Sequence, residues 1–180
     1  MNKLFVFDFD GVLFPEPWYI HTELLKNPKW NSLRYTIYEH GYFPEHLHNT
    51  PDGKEYYEMF QKIYWGRRMS PWNIFRLQEL SLTHTLVIAS YNRTDQINRM
   101  LELSGIHELF NDIVTREHYH DKREMFINLH EKYSPEKMYF ITDTRHDIMQ
   151  VQSVPHDISI YTTVSEYISE DIVFMPDFWQ

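Results

Sequence analysis

The feature that most constrains the fold is a series of short, uninterrupted apolar runs, each of which ends in polar or turn-forming residues. A strand with one side in solvent alternates apolar and polar residues, whereas a strand buried on both faces is apolar throughout. The unbroken runs therefore predict the strands of a parallel sheet that is covered on both sides. The predicted strands are Leu4–Phe7, Leu86–Ala89, Ile113–Val114, Met138–Ile141 and, with a less continuous pattern, Ile158–Tyr161.

Helical patterns occupy the intervals between these runs. Apolar residues recur at helical spacing over 97–101, and Gly105 follows where a glycine commonly ends a helix. A second helix is expected to begin at Asp121 or Lys122, and a short third one covers 145–152. Strand–helix–strand alternation is typical of right-handed βαβ units. We therefore predict an α/β fold with a Rossmann-like, doubly wound parallel sheet.

The segment 15–81 does not follow this alternation. It is rich in aromatic residues and histidines, and Ser70 followed by Pro71 is typical of a helix start. An insertion of this length directly after the first strand can fold as a small lid. We therefore predict a mainly helical cap over 15–81 and an α/β core formed by 1–14 and 82–180.

The composition of the 180 residues excludes several classes of protein. The sequence has no cysteine, so a disulfide scaffold, a thiolate zinc site and a cysteine nucleophile are excluded. The 17 basic and 26 acidic side chains give a net charge of −9, which disfavours non-specific binding to nucleic acid. No apolar run approaches the ~18 residues of a membrane span. Because Asp8 interrupts the first apolar run too early for a secretory leader, we expect a cytoplasmic protein, monomeric or homodimeric.

Acidic residues follow two of the predicted strands. Asp8 and Asp10 come directly after the first strand, and Gly11 allows the backbone to turn there. Asp143 follows the strand that ends at 141, and Asp147 lies on the same side of the next helical turn. Ligands of open α/β sheets bind outside the carboxyl ends of the strands. If these two strands are neighbours in the sheet, the four acids converge at one edge.

A cluster of this kind needs a counter-charge. Two like charges about 4 Å apart repel each other by about 4 kcal/mol at an effective dielectric constant near 20. Several protons or a cation would relieve that repulsion. Carboxylate oxygens without any cysteine favour Mg²⁺, which binds a few acidic ligands together with water and substrate phosphate. The sequence therefore predicts a Mg²⁺ site.

Two further positions are suited to holding a phosphoryl group. Ser90 ends the second strand, where its hydroxyl and the backbone N–H groups of Tyr91 and Asn92 can bind a phosphoryl oxygen. Lys122 opens the helix after the third strand. An ammonium group at that position can neutralise both a carboxylate nucleophile and a phosphate.

Taken together, these residues resemble the four sequence motifs of the haloacid dehalogenase superfamily, in the order in which that family has them. The resemblance spans the whole chain, and the insertion after Leu13 sits where family members with a helical cap carry it. It implies a phosphatase of that family with a cap inserted after the first motif. The motifs are Asp8-Phe9-Asp10-Gly11, Ser90, Lys122, and Asp143 with Asp147.

The resemblance also implies roles for the acidic residues. Asp8 would be the nucleophile that forms an aspartyl-phosphate, and Asp10 would be the general acid and base. Asp143 would complete the Mg²⁺ site with the Asp8 carboxylate and the main-chain carbonyl of Asp10, and Asp147 would be a supporting acid near the metal. The acid at position 10 favours a phosphatase, because family members that attack carbon–halogen bonds do not keep an acid there.

Ser90 and Lys122 would bind the phosphoryl group, but the sequence departs from the family pattern in two places. Thr142 stands where the family often has glycine. Lys122 lacks the proline that often follows nearby, and Arg116 and Arg123 compete with it for the same role. The expected substrate is a small phosphorylated metabolite or a nucleotide.

The sequence leaves other functions open. The aromatic residues and arginines of the insertion would suit a nucleotidase or a phosphatase of nucleic-acid ends, although they would equally form the insertion's own core. A receiver-like phospho-switch also carries acids, a metal, a hydroxyl group and a lysine. Its phosphorylated acid follows a later strand, and here the run at 113–115 ends without one. A binding protein with an inactive site is the remaining alternative.

Overall fold

The structure is a computed structural model that describes residues 3–174. The chain divides into two compact units. Glu16–Arg67 form the smaller unit, and the described residues on either side of this segment form the larger one. No helix among the described residues is both long enough and apolar enough to cross a lipid bilayer.

The larger unit contains a six-stranded sheet in which all neighbouring strands are parallel. The order across the sheet is β3-β2-β1-β4-β5-β6, which is the order of the classic doubly wound Rossmann sheet. The strands are β1 (Lys3–Phe7), β2 (Thr85–Ser90), β3 (Asp112–Thr115), β4 (Lys137–Thr142), β5 (Ile158–Thr162) and β6 (Ile172–Phe174).

All the predicted strands are confirmed, and β6 is the strand that the sequence analysis missed. The continuous apolar runs are strands because the sheet is covered by helices. For example, Leu4, Val6, Val87 and Phe140 are completely buried. By contrast, β6 has only three residues, and such a short segment carries no periodic signal.

The larger unit also contains four α-helices, whose ends follow the predicted signals. Ser70 and Asp121 cap two of the helices by accepting hydrogen bonds from backbone N–H groups. Gly105 has a φ of +65° just after a third helix, as expected for a helix C-terminus. The helices are α4 (Pro71–Ser81), α5 (Thr94–Leu103), α6 (Lys122–Tyr133) and α7 (Arg145–Gln152).

Apolar residues of α6 and α7 pack in one cluster with the sheet. Met125 and Phe126 of α6 and Ile148 of α7 are buried there together with residues of β1, β2 and β4. This packing fixes the beginning of α6 close to the ends of the central strands. Helix α4, which the sequence analysis included in the cap, contacts β2 and groups with the larger unit.

The smaller unit is mainly helical. Its helices are α1 (Trp18–Leu24), α2 (Asn31–His40) and α3 (Pro51–Gly66). Trp30 and Tyr56 are buried with ring centroids 5.4 Å apart. Nδ1 of His21 lies 2.8 Å from the Tyr56 hydroxyl, and the His21 ring stacks on Phe60. Several aromatic residues of this segment therefore form its own core.

Candidate active site

The loop after β1 fixes the position of Asp8. The backbone N–H of Asp8 donates to the Ile141 carbonyl of β4, with a nitrogen–oxygen distance of 2.9 Å. The chain then turns sharply, because the Leu13 N–H donates to the Phe9 carbonyl and Gly11 adopts a φ of +79°. The Asp8 side chain is buried, and its Oδ1 accepts a hydrogen bond from the Phe9 N–H at 2.8 Å.

The first and fourth strands are neighbours in the sheet, because β1 pairs directly with β4, so the condition for the acids to converge is met. As a result, Asp143 follows β4 at the same edge of the sheet where Asp8 follows β1. The Asp143 carboxylate lies so close to Gly11 that a Cβ atom at Gly11 would be 1.7 Å from its Oδ2. Thr142, which precedes Asp143 at the end of β4, is completely buried.

Lys122, the first residue of α6, brings a buried positive charge to this edge. Its Nζ lies 3.2 Å from Oδ1 of Asp8 and 3.2 Å from Oδ2 of Asp147, and it also donates to the Ala89 carbonyl. The Lys122 side chain is completely buried, whereas Arg116 and Arg123 are exposed. Lys122 is therefore the cation that contacts Asp8.

The charges of the site shift the pKa values of both partners in this ion pair. Burial raises the pKa of the Asp8 carboxyl well above its usual value, Lys122 opposes this shift, and Asp147 and Asp143 add to it. Burial by itself would lower the pKa of Lys122, but Asp8 and Asp147 outweigh burial, so that the pKa is raised. Lys122 is therefore an ammonium ion at neutral pH.

The end of β2 contributes a second hydrogen-bonded group. Nδ2 of Asn92 donates to Oδ2 of Asp10 at 2.8 Å, and the Asn92 backbone N–H donates to the Ser90 hydroxyl at 3.1 Å. Ser90 is buried, and Asp10 is half-buried. The predicted site residues that follow β1 and β2 therefore lie next to each other.

The side chain of Tyr91 lies on a different part of this edge. Its hydroxyl donates to Oε1 of Gln150 in α7 at 2.6 Å, and both oxygens accept from the backbone N–H of Lys122. Gln150 was not among the predicted site residues, and neither was Thr163, whose hydroxyl donates to the Gly11 carbonyl at 3.3 Å. No motif marks these two residues, because their contacts depend on how the strands and helices are packed.

The donor set of this edge fits a hard divalent cation. Asp143 and Asp147 both raise the pKa of the Asp8 carboxyl, and the Lys122 ammonium is paired with Asp8 and Asp147. Ionised, three carboxylates and one ammonium leave two negative charges. Within residues 3–174 no group of three His, Asp or Glu side chains forms a metal site by itself. Mg²⁺ needs no such group, because it binds one or two carboxylates and completes its shell with other oxygens.

Comparisons with known proteins agree with this geometry at the level of the fold. No family model and no curated protein sequence matches the chain. Among solved structures, a haloacid dehalogenase-like family hydrolase from Xanthomonas campestris matches with a TM-score of 0.69 and 12% identity over 98% of this chain and 87% of that one. A haloacid dehalogenase-like hydrolase from Streptococcus pneumoniae matches with a TM-score of 0.63 and 19% identity over 97% and 95% of the two chains.

The chain has the fold of the haloacid dehalogenase-like hydrolases.

An L-2-haloacid dehalogenase from Xanthobacter autotrophicus with covalently bound chloropropionic acid has the same fold. It matches with a TM-score of 0.64 and 16% identity over 94% of this chain and 80% of that one. A shared fold does not determine the reaction, so the chemistry of this chain has to be argued from its own side chains.

Proposed function

We propose that this chain is a Mg²⁺-dependent phosphatase that hydrolyses a small soluble phosphomonoester through an aspartyl-phosphate on Asp8. The observation that carries the proposal is a second carboxylate, Asp10, two residues after the buried Asp8. Nδ2 of Asn92 donates a hydrogen bond to Oδ2 of Asp10 at 2.8 Å. An alcohol leaving from phosphorus needs a proton, and a carboxyl group at this position supplies one. In the resemblance described above, this second acid distinguishes phosphatases from dehalogenases.

The first step uses Asp8 as the nucleophile. A carboxylate oxygen of Asp8 forms a bond to phosphorus while the bond from phosphorus to the alcohol oxygen breaks. Asp10 donates its proton to that leaving oxygen. Lys122 favours the ionised form of Asp8 before the attack, because its ammonium lies 3.2 Å from the carboxylate.

The second step regenerates the carboxylate of Asp8. Asp10, now ionised, takes a proton from a water molecule, and the water oxygen bonds to phosphorus as the bond to Asp8 breaks. Phosphate leaves, and Asp10 is protonated again. The same carboxyl group therefore serves as acid in the first step and as base in the second.

Charge neutralisation supplies most of the rate enhancement. Phosphomonoester hydrolysis is among the slowest uncatalysed reactions, so that the site has to lower the barrier by more than ~15 kcal/mol. Ser90 and Lys122 are the groups that we propose for holding the phosphoryl oxygens, together with the backbone at Tyr91 and Asn92. A hydroxyl group and an ammonium at fixed positions stabilise the charge of the transferring group without reorganisation.

The carboxylates of Asp8 and Asp143 and the main-chain carbonyl of Asp10 would hold Mg²⁺. When bound, the ion supplies positive charge that offsets the repulsion between the Asp8 carboxylate and the phosphate. The supporting role of Asp147 stays a prediction, and its carboxylate is already paired with Lys122. A cytoplasmic location and a phosphorylated metabolite as substrate are likewise predictions from the sequence.

The alternative functions find less support. Arg34 donates to the Leu25 carbonyl and the Arg67 guanidinium stacks on the Tyr64 ring, so these two arginines are engaged within the smaller unit. Two of the arginines on which the nucleotidase alternative rested are therefore already in contact with protein groups. A receiver-like domain has the strand order 2-1-3-4-5, whereas this sheet has the order β3-β2-β1-β4-β5-β6.

The proposal is tested by a phosphatase screen of the purified chain. The panel contains p-nitrophenyl phosphate, sugar phosphates, nucleotides and 5′-phosphorylated oligonucleotides, each with Mg²⁺ and with a chelator. We expect turnover that requires Mg²⁺ and that disappears in Asp8→Asn, with Asp95→Asn as a control at an exposed position of α5. Turnover of nucleotides alone would favour the nucleotidase. Equal activity of Asp8→Asn and Asp95→Asn would refute Asp8 as the nucleophile.

A further inference from the structure

We propose that Tyr91 and Gln150 are positioning residues that hold Lys122 in place against Asp8, so that phosphoryl transfer depends on their hydrogen bonds to the Lys122 backbone. This inference rests on the function proposed above. It assigns the Tyr91 side chain to the support of Lys122 rather than to the substrate.

The backbone N–H of Lys122 has two side-chain acceptors. The first N–H groups of an α-helix have no partner within the helix and usually contact a capping side chain or water. Lys122 is the first residue of α6. Its N–H donates to the Tyr91 hydroxyl at 3.1 Å and to Oε1 of Gln150 at 2.9 Å. Two residues that are distant in sequence thus provide the acceptors.

Tyr91 and Gln150 also form a hydrogen bond with each other, which determines which group donates and which accepts. The Tyr91 hydroxyl donates to Oε1 of Gln150 at 2.6 Å, so that this amide oxygen accepts from both Tyr91 and Lys122. Nε2 of Gln150 lies 2.8 Å from Nε2 of His146, which suits the amide orientation in which the oxygen faces Lys122. The side chains of Tyr91 and Gln150 and the backbone N–H of Lys122 therefore connect the loop after β2, helix α7 and the start of α6.

The position of the ammonium depends on this backbone anchor. The Lys122 Nζ lies 3.2 Å from both Asp8 and Asp147, and 5.5 Å from the centre of the Tyr91 ring. Asp147 stands on the same helix as Gln150, three residues earlier. Helix α7 therefore holds Lys122 at both ends, with Gln150 at the backbone and Asp147 at the ammonium.

The alternative is that the cluster merely adds stability to the fold. Capping side chains do so at many helix ends, and α6 already has one, because the Asp121 side chain accepts from the Glu124 N–H at 2.8 Å. The contacts of Tyr91 and Gln150 are made instead at Lys122, whose side chain is paired with Asp8. A positioning role therefore predicts effects on the ammonium and on turnover that a capping role does not.

The first arm of the test needs no activity. In NMR spectra of the full chain, Tyr91→Phe and Gln150→Leu are expected to raise the hydrogen-exchange rate of the Lys122 amide at least tenfold and to shift the Lys122 ammonium signal. Gln150→Glu keeps an acceptor oxygen and should restore slow exchange. The controls are Tyr133→Phe, which removes a hydroxyl at the far end of α6, and Gln152→Leu at an exposed position of α7.

The second arm measures kinetics with the substrate found in the screen. Both variants should lower kcat about five- to twentyfold and leave KM within about threefold. The double variant should lose less than the product of the two single losses, since one network is removed. Thermal unfolding of each variant reports whether a loss of activity comes from a loss of fold.

The outcomes separate this inference from the proposed function. An unchanged amide exchange rate and ammonium signal in the variants would overturn the inference, even if the chain is a good phosphatase. An unchanged kcat in an active enzyme would do the same. If the wild-type chain turns over no phosphomonoester but the Lys122 signals respond as expected, the function proposed above fails while the placement of Lys122 by Tyr91 and Gln150 stands.

Discussion

Replacing Gly11 with alanine tests the geometry of the acidic edge most directly. Gly11 has a φ of +79°, a conformation that costs an L-residue about 1–2 kcal/mol. A Cβ atom there would also lie 1.7 Å from Oδ2, 2.1 Å from Cγ and 2.7 Å from Oδ1 of Asp143. Since ordinary contact begins at 3.4 Å, the Asp143 carboxylate has to retreat by at least about 1.7 Å.

Gly105→Ala is the matched control, because it introduces backbone strain without displacing a carboxylate. Gly105 has a similar φ of +65°, but a Cβ atom there meets nothing within 4 Å. Gly105→Ala should therefore lower the unfolding temperature by about 2–8 °C, from a strain of about 1–2 kcal/mol in a chain of this size, and leave kcat/KM within about threefold.

Gly11→Ala should share that loss of stability and should also lower kcat/KM at least about 100-fold, because a misplacement of 1 Å in a catalytic site costs about that much. Mg²⁺ affinity, measured by calorimetry, should fall at least about tenfold in Gly11→Ala alone. Activity and Mg²⁺ affinity within about threefold of the Gly105→Ala values would refute the placement of Asp143 in the metal site.

Three further predictions concern single side chains. Lys122→Met leaves two buried carboxylates without their cation, so the free energy of unfolding in denaturant should fall by about 3–5 kcal/mol. Lys132→Met, which breaks an exposed ion pair, should cost at most about 1 kcal/mol. Asn92→Ala removes a hydrogen bond to a carboxylate and should lower kcat about 10- to 100-fold, whereas Asn128→Ala, which removes a solvent-exposed hydrogen bond to the Glu124 carbonyl within α6, should leave kcat unchanged. Burial lowers the pKa of His21 from 6.5 to about 4. Between pH 6.5 and 4, His21 is therefore protonated in the unfolded chain but neutral in the folded chain. The free energy of unfolding should fall as the pH falls over this range, by up to about 1.4 kcal/mol per pH unit. Melting curves of His21→Phe should show a smaller pH dependence over that range.

Much of the larger unit could be predicted from the sequence because its signals are local. A strand buried on both faces has an unbroken run of apolar residues. Ser70 and Asp121 mark helix starts, because their side chains accept hydrogen bonds from backbone N–H groups of the first turn. Asp8 follows one of those runs directly and Asp143 follows another after Thr142, so their place at the end of a strand did not depend on knowing the rest of the fold.

Other features depend on close packing between distant parts of the chain. The sequence offered Arg116, Lys122 and Arg123 for the same role, and only the packing of α6 against the sheet brings Lys122 to Asp8. Gln150 likewise carried no motif. The smaller unit ends at Arg67, whereas the predicted insertion ends at residue 81. Helix α4 follows the smaller unit in sequence, but it packs against β2 and so belongs to the larger unit.

The sequence by itself determined the α/β class, the predicted strands and the acids that follow them, since hydrophobic periodicity and capping act over a few neighbouring residues. The tertiary structure decided that β1 lies beside β4, that Asp143 packs against Gly11, and that one buried ammonium serves two carboxylates. These facts rest on strand order and on contacts of a few ångströms between residues that lie 25 to more than a hundred positions apart, and no local pattern encodes them.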